Sequence, residues 1–128
     1  MNIYLISASL LGLLFVALSL NIARLRNVKK VNLGDGGDPQ LLRAIRAHAN
    51  FMEYVPLCLL LIYVLSTYYG HRTVAGLSGL LLLARVLHAA GILGYIGFGR
   101  AAGAILTTLV LAVSSIWLGL IGLGIRLY

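Results

Sequence analysis

The chain has 128 residues, a formal net charge of +7, 61% hydrophobic and 10% charged residues, and a mean hydropathy of +1.01. Soluble domains are about half apolar and a quarter charged, so this composition excludes an ordinary soluble enzyme and points to an integral membrane protein. The basic residues are not set in a soluble fold with aromatic platforms, which argues against nucleic acid, and the single cysteine, Cys58, excludes an intramolecular disulfide and a cysteine metal cluster.

The first predicted span runs from about Asn2 to Ala23. It has no basic segment ahead of its apolar run and is long enough to cross a bilayer, so it reads as a retained span and not a leader. Ser7, Ala8, Gly12 and Ala17 offer small surfaces for a neighbouring helix. Arg24, Arg26, Lys29 and Lys30 follow as a cytoplasmic anchor. LGDGGDP then reads as a turn and a helix start, with Asp38 as N-cap and Pro39 at the first helical position. GDGG lacks the spacing and the Lys-Ser/Thr of a phosphate loop.

The second span is expected over about 39–69, with Pro56 kinking it or loosening one hydrogen bond without ending it. Its first half carries Arg43, Arg46, His48, Asn50 and Glu53, and ionisable groups within a span cost several kcal/mol each unless paired or hydrated. At about 100° per residue, Arg43, Arg46, Asn50 and Glu53 fall within an arc of roughly 80° while His48 points away. That face is expected to look into a bundle or a subunit interface. The third span is expected over about 73–94. Arg85, His88 and Tyr95 again share an arc of roughly 80°, at the depth where span 2 begins, so the two stripes should form one polar pocket. The alternatives for Arg85 and His88 are a counter-ion to Glu53 and a core histidine bonded to a carbonyl. GYIGFGR is a flexible glycine turn ending at Arg100. The fourth span covers about 101–124, with Gly103, Thr107, Ser114, Ser115 and Gly119 as packing positions and Trp117 and Tyr128 as interfacial anchors.

With four spans, one side holds Arg24, Arg26, Lys29, Lys30, Arg43, Arg46 and Arg100, and the other Arg72 and Arg126. The positive-inside rule puts loop 1–2 in the cytoplasm and both termini outside it. The expected fold is an all-α integral membrane protein, a four-transmembrane-helix bundle forming a single domain over 1–128. Its arginine-lined cavity suits a small anion bearing carboxylates. No cluster of His, Cys and acids has metal-ligand spacing.

RAIRAHANFMEYVP resembles the signature of the MAPEG proteins, the membrane-associated proteins in eicosanoid and glutathione metabolism. Their second helix carries R-A-x-x-N-x-x-E, here Arg46, Ala47, Asn50 and Glu53 with Arg43 upstream. Their third helix often carries A-R-x-x-H, here Ala84, Arg85 and His88, and Arg100 precedes the fourth helix. GDGG and RxHxNxxEYxP look closest to the small bacterial branch, which implies a bacterial inner membrane with both termini periplasmic. The family usually places a tyrosine about seven residues after the third-helix arginine; here Ile92 stands there and Tyr95 follows.

The resemblance implies a homotrimer in lipid, with glutathione as co-substrate bound between subunits on the cytoplasmic side. Arg43, Arg46, Asn50 and Glu53 would bind it, Arg85 and Tyr95 would join them from a neighbouring chain with His88 as a further candidate, and Arg100 would face the thiol as the catalytic residue. The activity implied is that of a transferase or peroxidase acting on a lipophilic electrophile or hydroperoxide. Two other readings are a non-enzymatic scaffold or lipid- and anion-binding protein held by an Arg–Asn–Glu network, and an organic-anion transporter, for which broken helices are missing.

Overall fold

The structure is a computed structural model that describes residues 2–125. Among the described residues there are four helices: α1 (Asn2–Lys29), α2 (Pro39–Leu65), α3 (His71–Leu93) and α4 (Gly99–Gly122). All four are long and apolar enough to cross a membrane, and no strand occurs among the described residues. The protein is an all-α four-helix membrane bundle. Arg126 and Tyr128, the expected outer charge and interfacial anchor, lie outside the described residues.

α1 continues six residues past the expected end of span 1, because arginine, lysine and leucine favour the helix after the apolar run stops. Lys30 ends it in the left-handed region (φ 56°), with Val31 N–H donating back to Arg26 O. The connection to α2 is stapled from both sides. Arg26 Nη1 donates to Gly34 O at 2.9 Å, and Lys29 pairs with Asp38 at 2.8 Å. Asp38 also accepts from Leu41 N–H at 2.9 Å, with Pro39 opening α2. The cap and the proline stand where the sequence places them.

Pro56 lies inside an unbroken α2. That helix ends at Leu65, four residues short of the expected boundary. Ser66 Oγ donates to Tyr63 O at 2.6 Å and Thr67 Oγ1 to Val64 O at 2.8 Å; these local bonds satisfy the last carbonyls and compete with further helix.

α2 and α3 each touch all the other helices, whereas α1 and α4 do not touch each other. The α3–α4 seam is built from small residues. α4 turns Gly99, Gly103, Thr107 and Ser114 inward, while Ser115 and Gly119, also expected as packing positions, face outward. On α1, Ser7 is buried, but Gly12 and Ala17 are exposed. A Cβ on Gly103 would stand 2.5 Å from Ala84 O and from the His88 backbone nitrogen. One on Gly99 would stand 2.5 Å from Leu87 O, and one on Gly91 would overlap the Arg100 backbone nitrogen. Close backbone approach at small residues is the main way helices pack in lipid, where no hydrophobic drive separates helix from solvent. Gly99, expected as part of a flexible turn, instead belongs to this seam.

At the opposite end of the bundle Tyr69 stacks on Trp117, ring centroids 5.2 Å apart. Trp117 is therefore partly buried against the turn after α2.

Candidate functional site

The polar residues of α2 divide by helical angle. Its buried stripe runs through Leu41, Ala44, Ala47, Phe51, Val55 and Cys58. The stripe of Arg43, Arg46, Asn50 and Glu53 is rotated from it by roughly 130° at the angular step of an α-helix. Arg43, Arg46 and Glu53 are exposed and Asn50 is half-buried at the edge. His48 turns the other way, as the spacing predicts: its Nε2 lies 3.1 Å from Ser19 Oγ of α1 and its ring stacks on Phe15.

Arg85 is the buried counterpart. Only 1% of it is exposed. Its Nη2 donates to Asn50 Oδ1 at 3.0 Å and its Nη1 to Thr107 Oγ1 at 3.4 Å, and its guanidinium carbon lies 5.6 Å from the centre of the Phe51 ring. Thr107 Oγ1 in turn donates to Gly103 O at 2.7 Å. One arginine thus joins α2, α3 and α4. The expected single level of the two polar stripes appears as this Asn50–Arg85 bond. The counter-ion alternative does not: Arg85 makes no ion pair with Glu53, and Lys29–Asp38 is the ion pair found among the described residues.

A crevice of about 40 Å³ opens beside this arginine, lined by Asn50, Tyr54, Arg85, Ala104, Thr107 and Thr108. Arg85 Nε is buried without a partner. Tyr54 and Thr108 escaped the sequence reading. Tyr54 follows Glu53 directly, but a tyrosine one step off a stripe reads as packing until α4 is placed beside it.

His88 is also buried. Its Nδ1 lies 2.9 Å from Arg100 O; a carbonyl only accepts, so Nδ1 carries the hydrogen. The ring sits in the α3–α4 seam, in keeping with the alternative of a histidine bonded to a carbonyl.

Tyr95 leaves the Arg85–His88 arc. α3 ends at Leu93, Gly94 takes the left-handed conformation (φ 92°), and Tyr95 N–H donates back to Ala90 O at 2.9 Å. The helical angle therefore no longer applies to Tyr95, whose side chain is 81% exposed. Arg100 stands in the first turn of α4, its side chain exposed. Arg43 reaches toward the same place, since its Nη1 would lie 3.3 Å from a Cβ on Gly94. A cation is favoured at that C-terminal end of α3 by the helix dipole. Arg43 and Arg100 thus flank the last turn of α3.

The basic end of the bundle therefore carries exposed Arg43, Arg46 and Arg100, with exposed Glu53 about 10 Å of helical rise deeper on the same face of α2; none of their side chains makes a hydrogen bond or ion pair among the described residues. Behind them lies the Arg85–Asn50–Thr107 set, in which Nη1 and Nη2 of the guanidinium are bonded within the chain and Nε is not. The MAPEG family model matches residues 4–120. The chain belongs to the MAPEG family. The family's membrane-bound, glutathione- and eicosanoid-related character agrees with the four spans and the arginine-rich end. The inner membrane protein YecN of Escherichia coli, in two strains, is 35% identical over 82 residues. That match covers 63% of this chain and 63% of YecN, so the chain spans less than two thirds of the length of these curated relatives. No solved structure matches the chain. Among the described residues no group of His, Cys, Asp and Glu is arranged to hold a metal ion.

Proposed function

We propose that the protein is a glutathione-dependent membrane transferase or peroxidase that works as a homotrimer. The observation that carries this reading is the outward, unpaired stripe of Arg43, Arg46 and Glu53 on a membrane-spanning helix, in a chain of this family. Charges cannot face lipid without several kcal/mol of cost, so a neighbouring copy covers the stripe and closes a polar site. Glutathione complements it: its carboxylates suit the planar guanidinium groups, its ammonium suits Glu53, and Asn50 and Arg85 border its backbone. Tyr95, on its exposed turn, reaches the ligand from an adjacent copy.

The chemistry follows from charge. A free thiol has a pKa of about 8.5, so little thiolate exists at neutral pH. Lowering it by about two units takes roughly 2.7 kcal/mol of preferential thiolate stabilisation. The Arg100 guanidinium in a partly dry site supplies this. In conjugation the thiolate forms a carbon–sulfur bond to an electrophilic carbon and the leaving group departs with the displaced electron pair. In reduction it takes the terminal oxygen of a hydroperoxide, releasing an alcohol, and a second glutathione converts the sulfenic acid to disulfide and water. The lipophilic substrate enters laterally from the bilayer.

The basic end faces the cytoplasm under the positive-inside rule, with both termini periplasmic; an inner membrane location accords with YecN. The Asn50–Arg85–Thr107 bonds, made within one chain, support a structural role for that subset beside the ligand, with Arg85 Nε left unbonded.

Glutathione titration of the purified protein tests the reading. Saturable binding with thiolate absorption, lost in Arg46→Ala and Glu53→Ala, supports it. Binding without turnover leaves a binder, and the absence of both binding and thiolate absorption refutes the reading.

A further inference from the structure

Arg100 has an unusual footing. It lies in the first turn of α4, whose N-cap, Phe98, makes no side-chain capping bond. Helix starts leave four N–H groups without intrahelical partners and open readily. Here the turn is held from outside. The Arg100 backbone nitrogen sits where a Cβ on Gly91 would be, Gly99 rests on Leu87 O, and Gly103 rests on the His88 backbone. Glycine at these three positions permits contact but gives no direction along the seam. At the first turn of α4 the directional element is the 2.9 Å bond from His88 Nδ1–H to Arg100 O, made by a side chain only 4% exposed; the other side-chain bond across the seam, Arg85 to Thr107, lies two turns further along α4.

We infer that His88 is a positioning residue, which fixes the first turn of α4 on α3 and thereby aims the Arg100 guanidinium at the thiol. The inference rests on Arg100 as the thiolate-stabilising residue, and it reassigns His88 from ligand to support. Its physical sense is that His88 holds the backbone while the side chain of Arg100 stays exposed for the ligand. A displacement of about 1 Å at a charged catalytic group is enough to cost much of its effect.

Two conservative variants separate this role from packing. His88→Asn keeps an amide N–H close to the Nδ1 position, whereas His88→Gln moves the amide to the Nε2 position. Three readouts apply to the full chain in lipid nanodiscs: amide hydrogen exchange over 100–104, glutathione affinity by calorimetry, and thiolate absorption with kcat. His88→Gln should raise exchange in that turn roughly tenfold, the scale of one lost buried hydrogen bond. Thiolate fraction and kcat should fall by about tenfold while the glutathione Kd moves less than about threefold. His88→Asn should restore most of both.

Unchanged exchange over 100–104 in His88→Gln overturns the inference, as does a collapse in affinity at constant kcat, which would make His88 a ligand. Equal loss in both variants with a lower Tm assigns it to packing and also overturns it. If the wild-type protein forms no thiolate, the proposed function fails on its own account, and the exchange measurement still decides whether His88 holds the turn.

Discussion

Arg85 and Arg46 lie at nearly the same depth, each roughly 10–12 Å of helical rise from the basic end of its helix, yet the molecule treats them in opposite ways. Arg85 is enclosed by α2, α3 and α4 and bonded to Asn50 and Thr107. Arg46 stands on the outside of the same bundle with no partner of its own. A charge that one chain satisfies belongs to that chain's architecture, and a charge left bare on a membrane helix needs something from outside. The contrast separates what holds the bundle together from what the chain leaves unpartnered.

The sharpest way to break the inner region is to thicken its seam. Gly103→Ala places a methyl 2.5 Å from Ala84 O and from the His88 backbone, so a backbone must shift. Overpacking of this kind costs about 3 kcal/mol, and thermal unfolding in detergent should show it as the largest loss in this set. The same test on the outer region gives the reverse pattern. Arg46→Ala should change the ligand-free stability by less than about 0.5 kcal/mol. It should abolish the ligand-induced gain, about 2.7 kcal/mol at a hundredfold excess of glutathione over Kd. An Arg46→Ala protein that unfolds like Gly103→Ala would erase the distinction between the regions.

Arg85→Ala tests the inner set directly. It strips Asn50 and Thr107 of their shared donor and empties a buried space, and should cost about 2 kcal/mol, with or without glutathione. A loss seen only in the presence of glutathione would move Arg85 to the outer, ligand-facing group.

The smallest effect is expected at the loop that joins the basic ends of α1 and α2. The hydrogen bond from Lys29 and the capping bond from Leu41 hold the Asp38 carboxyl below its ordinary pKa of 3.8. A carboxylate with a depressed folded-state pKa stabilises the fold fully above its unfolded value and loses that contribution as pH falls through the folded one. The Tm of the wild-type protein should therefore drop on acidification below about pH 4 slightly more than that of Asp38→Asn. Because the pair is a surface one, the difference should also shrink in high salt.

Much of this arrangement was legible before any coordinates. Apolar run lengths placed four helices, Asp38 and Pro39 marked the start of α2, and the helical angle separated His48 from Arg43, Arg46, Asn50 and Glu53. Those features are local: periodicity and capping chemistry depend on residues a few positions apart. The ends of α2 and α3 were less legible. Ser66 and Thr67 turned their hydroxyls to local carbonyls, and Gly94 took the left-handed conformation that carries Tyr95 out of the helical arc.

Which polar face met protein and which stayed bare was settled only by tertiary packing. An angle around a helix states which residues share a side but not what lies opposite. Arg85 became the inner arginine because Thr107 of α4 and Asn50 of α2 meet it at one level. The α4 start could come that near only because Gly91, Gly99 and Gly103 carry no Cβ. The sequence by itself determined four helices and a polar stripe; backbone proximity across the α3–α4 seam decided that Arg85 is enclosed, His88 grips the start of α4, and Arg43, Arg46 and Glu53 remain on the outside.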